Sequence, residues 1–288
     1  MHFLEAATQN ATIDRASTVI LPVPYDASVC YQPGSRWAPE RIISASNQME
    51  LLDEETGTEP IWQGIHTLNP LEVPVSPELL VDLVASKVRD TYDPEKLYVT
   101  IGGDHSVSIG AIQALSDIYN QQITVIQFDA HADLRDEYQG TKFSHACVMR
   151  RAYECTSKTV QIGIRSISKK EMEFAQQERL NFIWAKNIYN DTAKAKRQLI
   201  NILDSDPVYI TIDMDCLDPS IMPAVGTPEP GGLDWYQLID MLRTITSKAN
   251  VIGFDVVELC PIPSMISCDY ITARLIYKLI AYILQDRK

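Results

Sequence analysis

Short apolar segments alternate with helix-like segments along most of this 288-residue chain, and this alternation constrains its fold more than any other feature. Apolar runs such as VILPV, YVTIG, VIQF and YITID are rich in β-branched residues, which is typical of strands buried on both faces. The segments between them, including SPELLVDLVASKVRDTY and LDWYQLIDMLRTITSK, repeat their apolar residues at helical spacing. We therefore expect a three-layer α-β-α fold with a mostly parallel central sheet of about eight strands. Because no linker, repeat or low-complexity stretch interrupts the pattern, residues 1–288 are predicted to form one domain.

Charge and composition exclude several classes of partner. The net charge of −13, without a stripe of basic residues, argues against nucleic acid. The apolar stretch ITARLIYKLIAYIL is interrupted by Arg274 and Lys278 and is too short to span a membrane. The N-terminus lacks the features of a secretory signal, and the six cysteines contain no CxxC pair. These features predict a cytoplasmic protein with reduced thiols.

Polar side chains follow four of the predicted strands, at the sheet edge where open parallel sheets bind their ligands. After VIQF, Asp129, His131 and Asp133 come at every second position, separated by Ala130 and Ala132. Because strand side chains alternate between the two faces, we expect the three polar side chains to point the same way. The other strand ends carry His105, Asp213, Asp215 and Glu258.

These polar strand ends predict a metal site. A lone Asp-x-Asp is usually a solvated turn and a lone histidine usually a structural residue, as we expect for His2 and His66. Four clustered carboxylates, however, cannot all stay ionised without a counter-charge. Oxygen-rich ligands with some nitrogen favour Mn²⁺, and two imidazoles with four carboxylates suit a pair of ions about 3.5–4 Å apart. The six predicted ligands of two Mn²⁺ per chain are His105, Asp129, His131, Asp133, Asp213 and Asp215.

Several long segments resemble the signature sequences of the ureohydrolases, the arginase/agmatinase family. They are GGDHSVSIG, FDAHADLRDEY, SHACVMRRA, TIDMDCLDPSIMPAVGTPEPGGL and GFDVVELCP, and YQPGSRWAPERII resembles the agmatinase branch. The resemblance implies an arginase-like fold, a Mn²⁺ pair bridged by Asp129 and Asp213, and a trimeric or hexameric homo-oligomer. It also implies that Glu258 pairs with a substrate guanidinium, that His145 shuttles protons, and that Thr227 lines the site.

The predicted function is the hydrolysis of a small cationic guanidino compound to urea and an amine. A guanidinium carbon is a poor electrophile, and two metal ions would supply a bridging hydroxide strong enough to attack it at neutral pH. Asp133 could then pass a proton to the departing amine, while His145 exchanges protons with solvent.

Agmatine, which would yield putrescine in polyamine biosynthesis, is the predicted substrate. Asp136 and Glu137 in the loop LRDEYQGTKFSH would repel a substrate carboxylate by about 1–3 kcal/mol and attract an ammonium tail. Arg135 in the same loop could instead pair with a carboxylate. Aminopropylagmatine, guanidinobutyrate and arginine therefore stay as alternatives.

Two other functions would leave different signs in the sequence. A dinuclear phosphoesterase needs a basic cluster for phosphate, which these strand ends lack. An inactive, ureohydrolase-like binding protein would have lost a metal ligand or Glu258, and all of these residues are present.

Overall fold

The computed structural model describes residues 2–5 and 12–287. Eight strands of these residues form one sheet in the order β2-β1-β3-β8-β7-β4-β5-β6, and neighbouring strands pair in parallel. The strands are β1 Thr18–Val23, β2 Ile65–Thr67, β3 Leu97–Gly102, β4 Thr124–Phe128, β5 Lys158–Ile162, β6 Asn181–Ile183, β7 Val208–Asp213 and β8 Val251–Val257. The predicted parallel sheet of about eight strands is confirmed.

Helices cover both faces of the sheet. On one face α2, α3 and α4 pack together, and on the other α9 contacts α1 and α8 while α7 contacts α8. The described helices are α1 Ala38–Ser46, α2 Pro77–Thr91, α3 Val107–Ile118, α4 Val148–Cys155, α5 Lys169–Gln177, α6 Ala185–Asn190, α7 Thr192–Ile202, α8 Trp235–Thr246 and α9 Ile266–Asp286. None of these helices is long and apolar enough to cross a membrane.

Alternation along each strand divides the core into two apolar clusters. In β1, Val19, Leu21 and Val23 pack with the helices of one face, whereas Ile20 packs with those of the other. This pattern follows from the two-residue period of a strand. Strands that are apolar at every position thus hold the helices on both sides, as the sequence predicts.

Two elements differ from the sequence-based expectation. The strand β2 has only three residues and lies at the edge of the sheet, so it leaves no apolar period to recognise. The helical spacing of the segment APERIISASNQMELLDEE predicts one helix over residues 38–55, but α1 ends at Ser46. At its end, the side chains of Ser46 and Asn47 donate to the main-chain carbonyl of Ile43 at 2.7 Å and 3.2 Å, and such side-chain hydrogen bonds compete with continuation of a helix.

The order of the central strands positions the functional site. The strands β3, β8, β7 and β4 are neighbours in the sheet although they are distant in the chain. Parallel strands end at the same edge, so the residues that follow these four strands meet there. Ligands bind at such an edge in open α/β sheets.

Candidate functional site

Asp129, His131 and Asp133 lie in a turn that follows β4, and not on the strand itself as predicted. The strand ends at Phe128, and the Oδ1 atom of Asp129 accepts a hydrogen bond from the backbone N–H of His131 at 2.6 Å. Asp133 has a positive φ of 50°, which aspartate tolerates better than most residues. The hydrogen-bonded turn, and not strand alternation, therefore brings the three side chains together.

A similar turn follows β7. Asp213 is the last residue of the strand, and its Oδ1 atom accepts from the backbone N–H of Asp215 at 2.8 Å at the start of the 3-10 helix Met214–Cys216. Arg165 donates to the main-chain carbonyls of Asp215 at 2.7 Å and Glu229 at 2.8 Å. These hydrogen bonds hold the turn against the loop that follows it.

The imidazole of His105 faces three carboxylates. Its Nδ1 atom lies 3.1 Å from an oxygen of Asp129, 3.1 Å from an oxygen of Asp133 and 3.5 Å from an oxygen of Asp213. Both the imidazole and the three carboxyl groups are buried or nearly so. Residues that follow β3, β4 and β7 therefore converge on one point.

A second group of ligand atoms adjoins the first and shares Asp129 with it. The Nδ1 atom of His131 lies 2.9 Å from an oxygen of Asp215 and 3.7 Å from an oxygen of Asp129. In each group, one candidate ligand atom per residue lies within 4.8 Å of the others. The groups are His105, Asp129 and Asp133, and Asp129, His131 and Asp215.

The hydrogen bonds around His105 fit a metal ligand. Its Nε2 atom lies 2.8 Å from the hydroxyl oxygen of Thr211, and that hydroxyl donates its one hydrogen to Asp255 at 2.6 Å. Thr211 must therefore accept from Nε2–H, which leaves a lone pair on Nδ1. Nδ1 is buried, and its contacts among the described residues are the carboxylate oxygens at 3.1 Å and 3.5 Å. A lone pair aimed at three carboxylates would be repelled, so this position needs positive charge, either a proton on Nδ1 or a cation between the ligands.

The electrostatics of the cluster lead to the same conclusion. Burial, together with the charges of Asp215 and Asp129, raises the pKa of Asp213 well above its usual range. Burial and the Asp129 charge raise the pKa of Asp133 to about 7. Burial lowers the pKa of His131, but the combined effect of Asp215 and Asp129 is larger and raises this pKa to about 12. The cluster thus needs positive charge, which divalent cations would supply in place of protons.

A cavity of about 320 Å³ connects this cluster with solvent. Asp129 and Asp215 are buried behind its wall, and Tyr31, which is 76% exposed, lies at its mouth. Glu258 has a positive φ of 63° and accepts from the backbone N–H of His105 at 2.7 Å. The predicted site residues that line the cavity are His105, His131, Asp133, His145, Asp213, Thr227 and Glu258.

His145 stands on the wall of the cavity, half-buried. The 3-10 helix that begins at His145 is capped by Ser144, whose side chain accepts from a backbone N–H. The ring of Tyr138 meets the imidazole edge to face, with the ring centres 5.7 Å apart. Burial lowers the pKa of His145 to about 4, so the imidazole is neutral at neutral pH.

The two acidic residues that were expected to select the substrate, Asp136 and Glu137, are not among the residues that line the cavity. Asp136 pairs with the buried Arg151 at 2.8 Å, and Glu137 is exposed. Of this loop, Arg135 and Tyr138 line the cavity, so the structure gives no support to a charge effect of Asp136 and Glu137. The carboxylates that do line the cavity are Asp133, Glu171, Asp213 and Glu258.

Three contributors to the site were not predicted from the sequence: Thr211, Asp255 and Glu171. Asp255 accepts from Thr211, and Thr211 contacts Nε2 of His105 and so orients the ring. A carboxylate inside the otherwise apolar run VIGFDVV was the available signal. Glu171 lines the cavity and forms a capping box with Ser168 at the start of α5. The only sequence signal for Glu171 was the Ser-x-x-Glu spacing, which indicates a helix start.

Comparisons with known proteins agree with this geometry. The model of the Arginase family matches residues 16–285. An N(1)-aminopropylagmatine ureohydrolase of Synechocystis sp. is 37% identical across 97% of this chain and 93% of its own length. An agmatinase of Pyrococcus horikoshii is 33% identical across 85% of this chain and 84% of its own length. The crystal structure of an agmatine ureohydrolase of Thermoplasma volcanium superposes with a TM-score of 0.89 at 30% identity, covering 99% of this chain and 95% of that one.

Proposed function

The chain belongs to the arginase family, and we propose that it hydrolyses the guanidinium group of a linear guanidino-amine to urea and the free amine. N(1)-aminopropylagmatine is the first candidate substrate, and its amine product would be spermidine. Agmatine, the substrate predicted from the sequence, is the second candidate and would yield putrescine. In either case the product is a polyamine, so the enzyme would act in polyamine biosynthesis.

The observation that carries this proposal is the convergence of two imidazoles and four carboxylates beside a solvent-connected cavity. His105, Asp129, Asp133 and Asp213 would hold one ion, and Asp129, His131, Asp213 and Asp215 would hold the other. Oxygen-rich ligation with one imidazole for each ion favours Mn²⁺. Two such ions would lower the pKa of a water molecule between them towards neutrality and so supply the nucleophile that a resonance-stabilised guanidinium requires.

Glu258 is the proposed anchor for the guanidinium. Its carboxyl group lines the cavity next to Asp213 and His105, and one of its oxygens is held by the backbone N–H of His105. A carboxylate offers planar acceptors that match the N–H groups of a guanidinium. Burial and the charge of Asp104 raise the pKa of Glu258, and a cationic substrate would favour the ionised form.

Asp133 and His145 are the proposed proton carriers. Both line the cavity, and Asp133 belongs to only one of the two ligand groups. Asp133 would hold the proton of the attacking water and pass it to the nitrogen of the departing amine. His145, neutral at neutral pH, would exchange protons between the cavity and solvent.

The choice of substrate rests on the cavity wall and on the relatives. Of the four carboxylates that line the cavity, Asp133 and Asp213 would balance the metal ions and Glu258 would balance the guanidinium. Glu171 is then the lining carboxylate left to attract a positively charged tail, and Arg135 is the lining cation that opposes it. The cavity opens at Tyr31, and a tail longer than that of agmatine could extend through this opening. A relative that matches 97% of this chain is named for aminopropylagmatine, and this supports our choice of that compound as the first candidate.

A urea-release assay tests the proposal. Catalytic efficiency would be measured with N(1)-aminopropylagmatine, agmatine, guanidinobutyrate and arginine at saturating Mn²⁺. We expect both amines to be better substrates than the two carboxylates, with the longer amine first. A preference for arginine or guanidinobutyrate would refute the substrate assignment, and no urea from any of the four would refute the reaction.

A further inference from the structure

Ser28 joins His145 to a buried carboxylate. The Ser28 hydroxyl donates to an oxygen of Asp104 at 3.0 Å, and the backbone N–H of Ser28 donates to the same oxygen at 2.9 Å. The same hydroxyl oxygen accepts from the backbone N–H of His145 at 3.0 Å and lies 3.3 Å from its Nδ1 atom. Ser28 and Asp104 are 5% and 0% exposed, so water does not compete for these hydrogen bonds.

Whether the Ser28 hydroxyl donates to the imidazole or accepts from it depends on where its single hydrogen points. A hydroxyl has one hydrogen and two lone pairs. Because the hydrogen is donated to Asp104, only a lone pair remains for Nδ1 of His145. Ser28 therefore suits an imidazole that carries a hydrogen on Nδ1, which is one of the two neutral tautomers and also the protonated ring.

Ser144, in contrast to Ser28, is able to donate a hydrogen bond to Nδ1 of His145. Its hydroxyl oxygen lies 3.2 Å from Nδ1 of His145 and accepts from the backbone N–H of Ala146 at 3.4 Å. The hydrogen of this hydroxyl is uncommitted among the described contacts, so it is able to point at Nδ1. Ser144 thus suits the neutral tautomer with a bare Nδ1 and its hydrogen on Nε2.

We propose that Ser28 and Ser144 are positioning residues that hold the imidazole of His145 in both of its protonation states. The inference rests on the proposed proton transfer by His145. When Nε2 gives its proton to the cavity, the protonated ring becomes the neutral tautomer with hydrogen on Nδ1, and Ser28 accepts from Nδ1–H in both forms. Ser144 donates to Nδ1 in the other neutral tautomer, whose hydrogen is on Nε2. The ring therefore keeps one orientation in all three forms, with Nε2 left for the cavity. A side chain locked in this way avoids reorientation during each turnover.

Ser106 provides a matched control. Its backbone N–H and its hydroxyl both donate to the other oxygen of Asp104, so Ser106→Ala removes one hydroxyl bond from Asp104 just as Ser28→Ala does. The recorded hydrogen bonds of Ser106 do not extend to His145. An effect of Ser28→Ala that Ser106→Ala fails to reproduce therefore reports on the imidazole and not on Asp104.

The first test is a spectrum and does not depend on activity. Ring ¹⁵N chemical shifts of labelled histidine distinguish the two neutral tautomers, and the full chain has only five histidines, of which His145→Ala identifies the relevant one. With diamagnetic Mg²⁺ added, Ser28→Ala should increase the population with hydrogen on Nε2, and Ser144→Ala should increase the population with hydrogen on Nδ1. Shifts in the same direction, or no shift in either variant, would overturn the proposal. Ser106→Ala should leave the spectrum of His145 unchanged.

The second test is a double-mutant cycle on urea release. Ser28→Ala should lower kcat by about tenfold, a fraction of what acid–base catalysis contributes, with an unchanged metal content and little change in KM. In the His145→Ala background, the same substitution should have almost no effect. An equal loss of kcat in both backgrounds would show that Ser28 acts independently of His145 and would overturn the proposal. Full activity of His145→Ala would instead refute the proton-transfer role under the proposed function, while the spectra still decide whether the two serines hold the ring.

Discussion

The Nε2 atom of His105, which follows β3, lies 2.8 Å from the hydroxyl oxygen of Thr211 on β7, two strands away in the sheet. The hydroxyl of Thr211 in turn donates a hydrogen bond to Asp255 of β8 at 2.6 Å, so Thr211 connects His105 to this carboxylate. The buried carboxylate therefore fixes the hydrogen of His105 on Nε2 and aims the lone pair of Nδ1 at the carboxylate cluster. A metal ligand needs this orientation before any ion arrives.

Replacing Thr211 by valine should weaken metal binding without removing a ligand. Valine keeps the shape of threonine but offers no acceptor to His105 Nε2–H, so the tautomer with a bare Nδ1 loses its support. We expect the affinity for Mn²⁺ to fall by about 10–100-fold, measured by titration of the metal-free protein in a calorimeter. Thr211→Ser, which keeps the hydroxyl, should bind almost as tightly as the original chain. Equal affinities in all three proteins would contradict this role of Thr211.

Substitutions at Asp129 and Glu258 should separate metal binding from substrate binding. Asp129 belongs to both ligand groups, so Asp129→Ala should lose most of the metal together with the activity. Glu258→Gln should keep its metal, because Glu258 is outside both groups, but should release urea at least about 100 times more slowly without the carboxylate anchor. Elemental analysis and urea assays on the same samples make the comparison. Loss of metal from Glu258→Gln would show that Glu258 is a ligand.

The sequence predicted the sheet and the identity of the clustered residues because both depend on local patterns. Buried parallel strands are continuous apolar runs, and polar residues directly after them stand out. The path of the chain through the cluster was not predictable in the same way. Alternation placed Asp133 on an extended strand, whereas a hydrogen bond from His131 N–H to Asp129 turns the chain after Phe128.

Long-range hydrogen bonds were also invisible in the sequence. Ser28 contacts Asp104 and His145, which lie far from it in the chain, and no spacing rule joins these three residues. For Asp136 the error was an interaction that was predicted but does not form. Its charge was expected to act on the substrate, whereas Asp136 pairs with Arg151 on α4. Which charges face a cavity depends on tertiary packing, and a loop sequence does not contain that information.

Removing Lys278 should destabilise the fold in a way that depends on pH. Lys278, on α9, is 1% exposed and lies 2.9 Å from the fully buried Asp53. Burial raises the pKa of Asp53, but the hydrogen bond and charge of Lys278, with Thr56, lower it further, so that the pKa lies below its usual value. The stabilisation from this pair is therefore present above a pH of about 4 and is lost as the pH falls further.

Lys278→Met leaves Asp53 buried without its cation, which should cost about 3–5 kcal/mol of unfolding free energy at pH 7.5. In the variant, burial raises the pKa of Asp53 against only the hydrogen bonds from Thr56 and the more distant Arg274 at 4.0 Å, so protonation of Asp53 should make the deficit smaller at pH 5. Urea unfolding at the two pH values measures the difference. Lys196→Met is the control, because Lys196 forms an exposed pair with Asp240 and should cost less than about 1 kcal/mol at either pH. A deficit of Lys278→Met that does not change with pH would contradict the pairing with Asp53.

Two adjacent residues test which charges select the substrate. Arg135 lines the cavity, whereas Asp136 pairs with Arg151. Arg135→Gln should raise the catalytic efficiency for agmatine relative to guanidinobutyrate a few-fold, on the order of 1 kcal/mol. Asp136→Asn should leave that ratio almost unchanged. If Asp136→Asn changed this ratio and Arg135→Gln did not, the charge of Asp136 would be the feature that selects the substrate.

The central claim is that two Mn²⁺ ions bind at the cluster around Asp129 and make the chain a guanidino-amine hydrolase. It is tested most directly by adding Mn²⁺ stepwise to the metal-free protein while the bound metal and the urea released from N(1)-aminopropylagmatine are measured on the same samples. The account predicts that the rate of urea release rises until two ions are bound per chain and then stays constant. A maximal rate with one bound ion, or full activity after exhaustive chelation, would contradict it.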